Sequence, residues 1–121
     1  MAINIIQIET VLVANGFSAQ PDTNKKYREL VHHDTRESVY LNKAAPGVFS
    51  QLLVHPRHLE ARARLIEAST GIGSSREKRF GSNLRKFPKA LNDGEKPCSY
   101  GVPFGFDTVA SLELFLKDRF G

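Results

Sequence analysis

Four histidines lie beside charged neighbours, and imidazole titrates closest to neutrality, so they are the first candidates for chemistry. His32 and His33 precede Asp34, while His55 and His58 bracket Pro56 and Arg57. If the strands ending at these pairs flank a third strand, all four imidazoles reach one sheet edge. With Asp34 they would then form a His/Asp group suited to a divalent cation, or to acid–base work as a small nuclease aided by Arg57. The spacing argues against it. Helical zinc pairs stand at i,i+4, and His55 and His58 are three positions apart. Arg57 would also repel a cation held nearby. His33-Asp34-Thr35 has the His-x-Thr pattern of two-histidine phosphoesterases, but those use two copies and only one is present. The expectation is therefore strand-end histidines bonded to backbone, with no catalytic residue, no metal and no cofactor.

Other reactive patterns are incomplete. Asp34, Glu37 and Lys43 hold the residue types of a magnesium nuclease, but the Glu-x-Lys spacing is missing. Gly71-Ile72-Gly73-Ser74-Ser75 follows a helical pattern instead of opening one, so it is no phosphate loop. Cys98 is the only cysteine. It excludes an internal disulfide, has no histidine beside it, and reads as a structural thiol in a reducing, cytoplasmic setting.

Charge is the stronger lead. The net charge is +4, yet residues 1–56 carry five basic and five acidic groups. Residues 57–96 carry ten basic against five acidic groups. Within them Arg76, Lys78, Arg79, Arg85, Lys86 and Lys89 face only Glu77. A local excess of this kind attracts polyanions: arginine grips phosphate with two bonds, lysine adds a point charge, and Phe87 or Tyr100 would stack on an unpaired base. This points to a nucleic-acid- or polyanion-binding protein without chemistry of its own. The alternative is an inhibitor or adaptor docking on an acidic protein partner. Its aromatic anchors would come from Tyr100-Gly101-Val102-Pro103-Phe104-Gly105-Phe106, with Tyr100 and Phe104 foremost.

These groups must be positioned by about three helices and two sets of strands. Ile5, Ile8 and Leu12 at helical spacing predict a helix over residues 2–15, stopped by Asn15-Gly16, despite many β-branched residues. Residues 18–26 read as a loop around Pro21. Tyr27–His33, Glu37–Lys43 and Val48–Val54 predict a three-stranded meander, linked by Asp34-Thr35-Arg36 and Ala44-Ala45-Pro46-Gly47. In the second strand Val39 and Leu41 alternate with Ser38, Tyr40 and Asn42. Pro56 opens a second helix with Leu59, Ala63 and Ile66 inward, and a Glu60–Arg64 pair outward. Glycine-rich residues 71–81 read as mobile. Short strands near Asn83–Phe87 and Ser99–Phe104 are separated by Asn92-Asp93-Gly94, and Asp107 caps a final helix. Its core stripe is Val109, Leu112, Phe115 and Leu116.

The expectation is one α+β domain over residues 1–121: a mostly antiparallel sheet, a three-stranded meander plus two short strands, with about three helices packed on it. The 121-residue chain is long enough to bury one core unaided. No apolar run approaches the roughly 20 residues of a membrane helix, so no membrane partner is expected.

Overall fold

The computed structural model describes residues 3–21, 25–44, 49–68, 71–91 and 96–121. Helix α1 (Ile5–Ala14) forms although its residues are rich in β-branches, because its ends are well closed. Gln7 N–H donates to Asn4 Oδ1 at 2.8 Å, and Asn4 N–H donates to Gln7 Oε1 at 2.9 Å. This reciprocal box satisfies two donors that a helix start leaves open. Gly16, at φ 91°, follows as the left-handed residue that ends the helix. Ile8 and Leu12 are buried, while Ile6 and Val13 face solvent.

Strands β1 (Phe17–Ala19), β2 (Tyr27–His32), β3 (Ser38–Asn42) and β4 (Leu52–Val54) pair antiparallel in chain order. β4 then pairs with the long β8 (Pro97–Phe106), which also receives β5 (Ile72–Gly73), β6 (Arg79–Phe80) and β7 (Lys89–Leu91). Between β4 and β5 run a 3₁₀ segment, Pro56–Ala61, and helix α2 (Arg62–Ala68); helix α3 (Val109–Phe120) ends the fold. The α+β class and the antiparallel sheet agree with the sequence expectation. The meander is present and extended by β1 in the expected loop.

All five residues of β3 are buried, so both faces of the sheet are covered. Val39 and Leu41 join Leu30, Leu52, Val54, Val102, Phe104 and Phe106 under helices α1 and α3, in the main core. The opposite face carries a second cluster of Tyr27, Tyr40, Leu53, Leu84 and Phe87. Its lid is an arch between β6 and β7. Gly81 N–H donates to Ser99 O at 2.9 Å, and Tyr100 N–H donates to Pro88 O at 3.1 Å. Consecutive residues of a strand turn their peptide groups to opposite edges, so β6 and β7 flank β8 on opposite sides. Residues 81–88 therefore cross over the face of β8. They cross at Gly101, where an added Cβ would lie 2.8 Å from the Phe87 ring and 3.0 Å from Val54 O.

Several local expectations are corrected. Asn83–Phe87 is not a strand but two successive turns, with Leu84 N–H bonded to Gly81 O and Phe87 N–H to Leu84 O. Residues 71–81, read as mobile, contribute β5 and β6 to the pairing with β8. The second helix buries His58, Ala61 and Leu65, while Ala63 is exposed and Leu59 and Ile66 are only half-buried. Its first turns are 3₁₀, with three residues per turn, and this shifts the inward face relative to an α-helix. Arg64 bonds Asp118 with both Nη atoms, at 3.0 and 2.9 Å, and Glu60 faces Arg119 at 3.6 Å instead. Thr108, not Asp107, caps α3, and Val109 points outward. The third strand is shorter than Val48–Val54, and Val48 lies outside the described residues, as do most of Ala44–Gly47 and all of Asn92–Gly94.

Gly101→Ala is expected to push Phe87 off the sheet at a cost of about 1–3 kcal/mol, as overpacking of a closed core does. A urea midpoint unchanged from wild type would contradict this close approach.

Candidate functional site

The arch leaves a gap between itself and the meander, and this gap is a polar cleft of about 540 Å³. Tyr27, Glu29 and Tyr40 form its floor, Gln20 and Pro21 one wall, and Asn83, Arg85 and Lys86 the other. The floor follows from strand alternation. Tyr27 and Glu29 share a face of β2, and Glu29 is directly opposite Tyr40 on β3. The wall follows from the turns at Gly81–Phe87, which bring Lys86 N–H to Tyr40 Oη at 3.2 Å.

The groups of the cleft have distinct roles. Burial pushes the Tyr40 phenol up from its ordinary range, so it stays protonated at neutral pH. Its oxygen accepts from Lys86 N–H, and the protonated phenol, which lines the cleft, keeps one O–H to donate. Glu29 Oε2 accepts from Ser38 Oγ at 2.6 Å; among the described residues, Oε1 has no hydrogen-bond partner. Arg85 and Lys86 are exposed, and neither forms an ion pair among the described residues. The cleft thus offers two exposed cations at its rim, a hydroxyl donor, and one carboxylate acceptor on its floor.

Of the expected phosphate contacts, Arg85 and Lys86 line this cleft. Arg76 and Lys89 are exposed beyond it, and Arg79 is half-buried in β6. Lys78 Nζ lies 5.3 Å from the centre of the Tyr100 ring, a cation–π contact. Phe87 is only 5% exposed, with its edge-on neighbours Tyr40 at 5.0 Å and His55 at 5.7 Å. Its ring holds the arch down and has no open face for a base. Phe104 is fully buried against Phe115, which removes it as a partner anchor, and Tyr100 is half-covered by Phe80.

The histidines do not converge. His32 and His58 stand on the Phe120 ring, at 5.2 and 5.4 Å, His55 packs on Phe87, and His33 is exposed beside Asp34. Among the described residues, no three His, Cys, Asp or Glu side chains are grouped to hold a metal ion. His58 is instead the centre of a buried relay. Arg119 Nε donates to its Nδ1 at 2.8 Å, which places the imidazole proton on Nε2, where it donates to Glu37 Oε2 at 2.6 Å. Glu37 Oε1 also takes the guanidinium of Arg57. Burial pushes His58 down from 6.5, and this outweighs the pull of Glu37. Burial alone would raise Glu37, but the bonds from His58 and Arg57 prevail and hold it below its ordinary 4.5.

Sequence reasoning missed Glu29, Tyr27, Tyr40, Gln20 and Asn83 as one site, since they come from four separate segments. One signal was available: Glu29 occupies the strand position that alternation places on the half-buried face beside the tyrosines. Glu37 and Arg119 were missed as partners of His58 because they lie 21 and 61 positions from it.

The class defined by this geometry is an α+β protein with helices on one face of an antiparallel sheet and a cation-rimmed cleft on the other. The chain belongs to the family described as "Protein of unknown function (DUF2002)", which matches residues 1–120. It is 29% identical over 115 residues to the "Uncharacterized protein YgaC" of Escherichia coli O157:H7 and to that of Shigella flexneri. The match covers 95% of this chain and 92% of each relative. Among the described residues no helix is long and apolar enough to cross a membrane.

The relay sets an acid limit on stability. His58 binds its proton less readily in the fold than in the unfolded chain, so protonation favours unfolding and stability falls as pH drops below about 6.5. Glu37 adds a further loss in the same direction below about 4.5. Urea unfolding from pH 7.5 to 4 should show both declines. His58→Gln should be less stable at pH 7.5 but flatter between pH 6.5 and 5; an unaltered profile would assign the acid loss to other groups.

Proposed function

We propose that the protein binds single-stranded nucleic acid in the cytoplasm, without chemistry of its own, through the segment Arg76–Lys89. The observation that carries this reading is the position of Arg85 and Lys86. Both are exposed and free of ion pairs among the described residues, at the rim of the large polar cleft. Cations used only for solubility have no need of a concave, hydrogen-bonding surface beneath them. Its volume lies within the roughly 300–1,000 Å³ of ligand sites. Arg76, ahead of β6, and Lys89, at the start of β7, are also exposed and add two cations to the same segment. A single strand suits a concave site, because its backbone can bend to place one unit at a time into the cleft.

Counterion release makes the reading testable by salt. Four phosphate contacts on a single strand give a log–log slope of about −2.8, so a fourfold rise in salt should weaken binding about fiftyfold. Fluorescence anisotropy with a labelled mixed 12-mer measures this directly. Arg85→Glu with Lys86→Glu should cost well over tenfold in affinity, with circular dichroism unaltered, since both side chains are exposed. Salt-independent binding, or equal binding by this variant, would reject the proposal.

A further inference from the structure

The cleft is not a plain anion trap, because it has a carboxylate at its floor. We infer that it reads one unpaired base, and that Glu29 selects guanine; this rests on the nucleic-acid reading above. Phosphate alone would gain from Arg85 and Lys86 at the rim but would meet repulsion from Glu29 below them. The ligand that suits both must join an anionic group to a hydrogen-bond donor set a short distance away. A nucleotide has that construction: phosphate for the cations and a base edge for the carboxylate.

The donor pattern then decides among the bases. Glu29 Oε2 is already anchored by Ser38 Oγ at 2.6 Å, and Oε1 is open among the described residues. A carboxylate has two oxygens side by side and accepts only. Guanine alone presents two adjacent donors, N1–H and N2–H, on its Watson–Crick edge. Uracil offers one N–H between two carbonyls, and cytosine and adenine place a ring-nitrogen acceptor next to their amino group. Each of those acceptors would face a carboxylate oxygen across a half-buried floor, where an unmatched pair is costly. The Tyr40 hydroxyl, held by Lys86 N–H at 3.2 Å, supplies the complementary donor for an acceptor such as guanine O6. Two groups of opposite hydrogen-bonding sense on one floor therefore match the two kinds of group on one base edge.

The test compares labelled r(GU)6 with r(U)12 by anisotropy, at one salt concentration, for wild type and for Glu29→Gln. Wild type should prefer r(GU)6 by about tenfold, the discrimination one bidentate contact supplies. Glu29→Gln replaces one acceptor by a donor at unchanged size, and Ser38 can still donate to the remaining oxygen. It should reduce the preference to under about twofold while keeping or strengthening r(U)12 binding, since a negative charge has left the cleft. If wild type binds both RNAs equally and salt-dependently, or Glu29→Gln retains the preference, the guanine inference is overturned and the binding proposal stands. If wild type binds neither, both are overturned. The wild-type comparison decides by itself should the variant not fold.

Discussion

A sheet whose central strand is buried on both faces must be covered twice, and the rest of this structure follows from that requirement. Val39 and Leu41 on one side of β3 are covered by helix α1, which packs beside α3 over β5 and β8. Tyr40 on the other side, with Tyr27 and Leu53, has no helix to meet, and the 81–88 arch supplies Leu84 and Phe87 instead. An arch of turns covers less area than a helix, so it leaves the flank of β2 and β3 open. The cleft is that uncovered part. Its cations are there because Arg85 and Lys86 occupy the outer side of the turns that bury Leu84 and Phe87.

The polar relay at the opposite face is built on different physics. Three charged groups and an imidazole meet around Phe120, joining the β2–β3 link (Glu37), the 3₁₀ segment (Arg57 and His58) and the end of α3 (Arg119). A buried ionic cluster gains little over apolar packing, because desolvation offsets most of the attraction. What it supplies is orientation, since each group takes its partner from a different element. Arg36, in the same link, takes a left-handed φ of 62°, and its N–H bonds His32 O at 3.0 Å. The tightness of that link helps bring Glu37 to His58.

The two sites also divide the protein's charge. Charges of the relay are neutralised internally and serve the fold. Those of the arch are exposed and unpaired among the described residues, so screening acts on them fully and a polyanion can displace their counterions. The carboxylate of Glu29 belongs to neither group: it is half-buried, bonded by Ser38, and lines the cleft.

Local patterns were readable from the residues alone wherever one element decides the outcome. The helix stop at Asn15-Gly16, the meander from Tyr27, the alternation along β3 and the stripe Leu112, Phe115 and Leu116 each depend on near neighbours, and each is present. The location of excess charge was readable for the same reason. Tertiary structure decided the rest. Phase in the second helix was lost because Pro56–Ala61 winds with three residues per turn, which composition does not reveal. Phe87 and Phe104 look in sequence like any aromatic; only the arch and the main core determine that their rings are enclosed. Glu29, Tyr40 and Lys86 become one site only when two strands pair in register and a distant turn folds over them. Sequence determines what a residue can do, but long-range packing selects its neighbours, and a site is made of neighbours.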